Sequence, residues 1–156
     1  MRRADGGPGR VPHLQRRAGL PCAARTRLRG VRRPRDQAPL VCGAGFEVDE
    51  FTLDFRVGGF ERRRSRSVGG TLLRNDTLFL DIVPDERIVL AYALTAEEVR
   101  TSAALTTVEL AAVGGGTRLL LTEQVAFLDG VDSTASRQRG WGALLDRLGD
   151  AIRRVD

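Results

Sequence analysis

From Phe46 onward the chain alternates apolar and polar residues with a period of two. Phe51, Leu53, Phe55 and Val57 are spaced by Thr52, Asp54 and Arg56, the pattern of a half-buried strand. Gly58-Gly59 marks a bend, and Phe60 to Arg66 predicts a second, heavily charged strand exposed on one side. After a loop at Ser67 to Gly70, Leu78, Leu80 and Ile82 alternate with Phe79, Asp81 and Val83. Pro84-Asp85-Glu86 carries turn chemistry, with Pro presetting φ and Asp able to bond the backbone. Ile88, Leu90, Tyr92 and Leu94 resume the alternation, which predicts a hairpin. Thr95 to Arg100 reads as a loop that could hold a short turn. Thr101 to Ala112 and Thr117 to Phe127 predict two more strands joined at Gly114-Gly115-Gly116, the second with Leu119, Leu121 and Val125 on one face.

The period then changes. Trp141, Leu144, Leu145, Leu148, Ile152 and Val155 form one stripe of an amphipathic helix, which Ser133 or Thr134 can cap. Arg137, Arg139, Arg147, Arg153 and Arg154 take its other faces. Antiparallel strands followed by one long helix predict an α+β fold with the helix laid on the sheet.

Residues 1–45 have neither period. Pro8, Pro12, Pro21, Pro34 and Pro39 interrupt them, and they read as an unstructured leader before a domain at 46–156. Charge divides at the same point. The leader holds 11 Arg against Asp5 and Asp36, a net of +9, while residues 46–156 hold 14 Arg against 18 acids, a net of −4. The overall +5 therefore says little about the domain, whose mildly acidic balance argues against nucleic-acid binding through the folded part. Lys is absent altogether, the mark of a GC-rich genome rather than of a recognition surface. Cys22, Cys42 and His13 are too few for a structural zinc site, no apolar run has the length of a membrane span, and the N-terminal arginines, with no continuous apolar stretch behind them, make a poor secretory signal. A cytoplasmic protein without metal or cofactor is the expectation.

The segments "FTLDFRVGG", "LDIVPDERIVLAYAL", "TTVELAAVGGGTRLLLTEQ" and "RGWGALLDRL" resemble the bacterial homologues of the heat-shock-protein-90 ATPase activator, within the SRPBCC or birch-pollen-allergen-like superfamily. The resemblance runs over about residues 46–155, in order. It implies a helix-grip fold, a curved antiparallel sheet around a long C-terminal helix, preceded by a strand and two short helices. These opening elements are missing or replaced in the leader as written. A shifted frame, taking the last two bases of each codon with the first of the next, permits from His13 an alternating strand and two helix-like segments, "P-P-E-R-V-F-E-A-F" and "K-R-R-W-F". An out-of-frame leader with a one-base change near codons 44–46 is thus the favoured reading; sequencing the gene there tests it.

The resemblance also implies an apolar cavity between sheet and helix. Leu53, Phe55, Leu80, Tyr92, Leu121, Trp141 and Leu145 are the candidate lining, with plain core packing the competing role for each. Tyr92 and Trp141 stand out because a buried OH or NH seeks a partner. The expected partner is a small apolar ligand. A chaperone ATPase, suggested by the family, is the second reading, and a cyclase- or hydrolase-like enzyme the third. No catalytic constellation supports the third beyond Glu109 and Glu123 on adjacent strands, which more often form a solvated face. Arg62-Arg63-Arg64 reads as a solvated edge rather than an anion site.

Overall fold

The computed structural model describes residues 13–20, 45–130 and 132–154. Seven strands precede one helix: β1 (His13–Leu20), β2 (Phe46–Leu53), β3 (Phe60–Ser67), β4 (Leu72–Val83), β5 (Arg87–Ala96), β6 (Val99–Val113), β7 (Gly116–Phe127) and α1 (Thr134–Arg154). They form one antiparallel sheet in the order β1-β7-β6-β5-β4-β3-β2, with β1 and β2 at its edges. This is the helix-grip arrangement that the resemblance implies.

Three short turns set the registers. Val83 pairs Arg87 across the Pro84-Asp85-Glu86 turn, where Glu86 N–H donates to Val83 O at 3.1 Å and Asp85 takes a φ of 66°. Val113 pairs Gly116 across Gly114-Gly115, whose φ values of 54° and 83° match a primed two-residue hairpin. The stretch read as a loop at Thr95 to Arg100 holds a short turn, a tight hairpin with Ala96 pairing Val99 and strand ladder on both sides. Glu97 supports it from outside. Its backbone N–H donates to Leu72 O at 2.8 Å, and its carboxylate accepts from Leu72 N–H at 2.9 Å.

The leader reading does not hold for residues 13–20. They form β1 and pair β7 from His13↔Gln124 to Leu20↔Thr117. Leu14 is buried, Ala18 and Leu20 half-buried, and Gln15 and Arg17 face out. The local pattern is too short to announce a strand; the ladder that completes the edge of β7 holds it. Of the opening elements expected to be missing or replaced, a strand is therefore present, formed by residues 13–20. The two helix-like segments of the shifted frame fall largely between residues 21 and 44, outside the described residues.

The second correction concerns β4. Register shifts by one between Phe79 and Asp81, a bulge that leaves Leu80 unpaired. Asn75, Thr77 and Phe79 are buried, while Leu80 is 44% exposed. The face read as inward from Leu78, Leu80 and Ile82 is thus replaced in mid-strand by the opposite one, since a one-residue change of phase exchanges the two faces.

Ser133 caps α1, its Oγ accepting from Ser136 N–H at 3.2 Å. Leu145 of α1 is buried with Leu119 and Leu121 of β7, and Trp141, Leu148, Val108, Leu110, Ala18 and Leu20 pack around them. A second cluster joins Leu14, Ala104 and Val125, with Tyr92 and Phe127 against it. The apolar contacts of the helix are therefore concentrated on the β1-β7-β6 half of the sheet. Arg16 of β1 adds a hydrogen bond to Gln138 O at 3.2 Å.

Candidate functional site

Because α1 rests on one half of the sheet, a hollow of about 340 Å³ remains between it and β3, β4 and β5. Leu90, Leu94 and Leu144 give it apolar walls; Glu61, Arg63, Asn75, Thr77, Tyr92 and Arg137 border it with polar groups. Strand registers explain how these meet. Glu61 pairs Thr77, and Thr77 pairs Tyr92; Arg63 pairs Asn75, and Asn75 pairs Leu94. Each set lies in one row across the sheet, on the face toward the helix. From above, Gly140 and Trp141 close the hollow. A Cβ at Gly140 would meet nothing within 4 Å, so the space beside it is open.

At the end of the hollow where α1 begins, Arg137 organises a buried polar network. Its Nη1 donates to Tyr92 Oη at 2.8 Å, and its Nη2 donates to Ser102 Oγ and Asp132 Oδ2, both at 2.6 Å. Tyr92 in turn donates to Glu123 Oε1. Glu123 and Ser102 are fully buried. Burial works against the charge on Arg137, but Tyr92, Asp132 and Glu123 outweigh it and hold its pKa above the ordinary value. The Tyr92 phenol is pushed up chiefly by burial and then by the Glu123 carboxylate, with Arg137 opposing, so it remains a neutral donor. A cation in the first turn of a helix opposes the macrodipole; here the guanidinium reaches away from the helix to counter-charges and hydroxyls on the loop and sheet.

Glu61 and Arg63 stand at the other end. Arg63 Nη1 lies 3.6 Å from Glu61 Oε1, beyond hydrogen-bond length. Burial raises the Glu61 carboxyl, against the opposing influence of Arg63 and a hydrogen bond from Asn75. Asn75 Nδ2 donates to Thr77 Oγ1 at 3.2 Å.

Of the seven residues proposed from sequence, Tyr92 and Trp141 border this hollow, their rings edge-on with centroids 6.4 Å apart. Leu121 and Leu145 sit in the packed core beneath the helix. Leu53 ends β2 opposite Glu61 without bordering the hollow. Phe55 is 50% exposed beyond β2, edge-on to Phe79 at 5.0 Å, and Leu80 is displaced outward by the bulge. Sequence reasoning missed Arg137, placed off the apolar stripe of the helix, and Arg63, placed on a solvated edge. It also weighed Glu109 and Glu123 as a carboxylate pair and preferred a solvated face for both. In the structure Glu123 lies opposite Thr106 and is buried, while Glu109 lies opposite Leu120 and is exposed. One signal was present: Arg137 precedes Trp141 by four residues, one helical turn along the same face.

A larger groove of about 540 Å³ crosses the outer face of the sheet, lined by Phe60, Leu78, Ala91, Ala93 and Leu105. Among the described residues, no three His, Cys, Asp or Glu side chains converge as metal ligands.

The sequence pattern of the family described as "Activator of Hsp90 ATPase homolog 1-like protein" matches residues 39–153. No curated protein matches the chain. Among solved structures, a protein from Rhizobium leguminosarum superimposes with a TM-score of 0.84 at 35% identity, over 92% of this chain and 95% of that one. A protein from Rhizobium loti gives 0.77 at 41% identity, over 89% and 95%. A Chromobacterium violaceum protein shares the fold at 21% identity, with a TM-score of 0.73 over 90% and 96%.

Proposed function

Since this chain belongs to the Activator of Hsp90 ATPase homolog 1-like family, we propose that it is a binding module which takes a small, largely apolar molecule in the hollow between β3–β5 and α1. The observation that carries this reading is the placement of Leu90, Leu94, Trp141 and Leu144 around about 340 Å³ of space that no described core side chain fills. That volume is at the low end for ligand pockets, which suits a small compound. The polar groups around it leave no nucleophile activated by a neighbouring base, so binding is favoured over catalysis.

Trp141 is the chain's one tryptophan and borders the hollow, so its fluorescence reports occupancy. A library of small aromatic and aliphatic compounds is expected to contain members that change this signal and raise the melting temperature together. Gly140→Leu fills the space and should abolish both responses while the protein stays folded. A library without a hit, or hits undiminished in Gly140→Leu, would remove the reading.

The family's description motivates a second reading, contact with a chaperone ATPase. The exposed apolar side chains of Phe60, Leu80 and Leu105 on the outer face offer such a contact somewhere to form. Stimulation of ATP turnover by the purified chain, lost in Leu105→Glu, is the measurement that favours it. Both readings take the cytoplasm as the setting. No helix among the described residues is long and apolar enough to cross a membrane.

A further inference from the structure

Three side chains bordering the hollow each hold a buried polar atom without a hydrogen-bond partner: Arg63 Nη1, Asn75 Oδ1 and Trp141 Nε1. Two are donors and one is an acceptor. Buried polar atoms are paired in the great majority of cases, so three gathered around one space are unusual. Their neighbours do not relieve them. Glu61 is too far from Arg63 for a hydrogen bond, and the contacts of Asn75 run through its amide nitrogen, which donates to Thr77, not through its oxygen. Arg137, by contrast, is committed to Tyr92, Ser102 and Asp132. The unmet hydrogen-bonding capacity lies toward β3, β4 and the indole, and Leu90, Leu94 and Leu144 supply apolar wall beside it.

We infer, on the reading that this hollow is a ligand site, that its occupant is a small amphiphile with a planar carbonyl head that both accepts and donates hydrogen bonds, a carboxamide, on an aryl or alkyl tail. The head's carbonyl oxygen accepts from Arg63 and the Trp141 indole. Its N–H donates to Asn75 Oδ1. The tail lies against the leucines. A wholly apolar occupant leaves all three atoms unmet and shut away from water, and an occupant with acceptors alone leaves Asn75 unmet.

The test titrates the full chain with 4-butylbenzamide, 4-butylbenzoic acid and butylbenzene, following Trp141 fluorescence. The amide should bind at least ten-fold more tightly than butylbenzene. Arg63→Met and Asn75→Leu, checked for folding by circular dichroism, should each reduce the ratio of amide to butylbenzene affinity. At neutral pH the acid is a carboxylate that only accepts, so a ten-fold advantage of the amide sustains the inference, and an advantage of the acid alone would overturn it in favour of simple charge pairing. Butylbenzene binding as tightly as both would overturn the head-group assignment while leaving the site itself standing. Silence with all three compounds, together with no hit from the wider library, would remove the site and the inference with it. The ligand series on the unaltered chain decides the matter even where a variant does not fold.

Discussion

The phenol of Tyr92 donates its hydrogen bond to Glu123, a carboxylate with no solvent exposure, on a strand two positions away in the sheet. Glu123 depends on this bond more than Tyr92 does: Glu123 Oε2 has no partner, so Oε1 carries the link to the rest of the network, whereas the phenol oxygen also accepts from Arg137. Tyr92→Phe removes the donor to Glu123 and the acceptor for Arg137 together. A loss of about 2–3 kcal/mol in unfolding free energy is expected, since hydrogen bonds to charged groups sit at the upper end of the range. Urea denaturation measures it. In a double-mutant cycle, Glu123→Leu should cost less in the Tyr92→Phe background than in the parent.

Arg137 is 8% exposed and serves three acceptors through two nitrogens. Lysine has one ammonium and no planar fork, so Arg137→Lys cannot reproduce the geometry. Arg137→Met should destabilise by roughly 3–5 kcal/mol, the usual result of leaving buried partners of a charge unpaired. Arg137→Lys should fall between it and the parent. Equal stability of all three proteins would show that the network contributes nothing to the fold.

Burial raises the Glu61 carboxyl above its unfolded value. Between those two values the folded protein holds more protons than the unfolded chain, so stability falls as pH rises through that window. Below the unfolded value both states are protonated and the penalty is absent. Glu61→Gln should therefore flatten the pH dependence of unfolding free energy just above the ordinary carboxylate range. A slope unchanged by the substitution would show that other groups set it.

The bulge in β4 separates two adjacent residues by their sensitivity. Phe79 is 5% exposed and edge-on to Phe55, so Phe79→Ala should cost about 3–5 kcal/mol. Leu80 is 44% exposed, so Leu80→Ser should change stability by about 0.5 kcal/mol or less. Thermal unfolding of the two variants gives a direct comparison. A larger loss at Leu80 would mean that the strand keeps the uninterrupted alternation of its sequence.

Strand and helix periods were legible in the chain because backbone geometry imposes them residue by residue. Leu90, Tyr92 and Leu94 face the helix as their alternation indicates, and Leu144, Leu145 and Leu148 form the stripe that presses onto the sheet. The glycine hairpin and the Pro84 turn were equally readable, since their residue types meet local demands on φ. By itself, then, the sequence determined the element order from Phe46 onward, the α+β class and, through its motifs, the family. Tertiary structure alone decided which side of β4 is buried, that residues 13–20 complete the sheet, and that Arg63 and Arg137 turn inward. Those outcomes depend on register between strands and on where the helix leaves sheet uncovered. An arginine beside such a gap can meet partners such as Tyr92 and Asp132 that are 45 and 5 residues away in the chain, and no local period encodes that meeting.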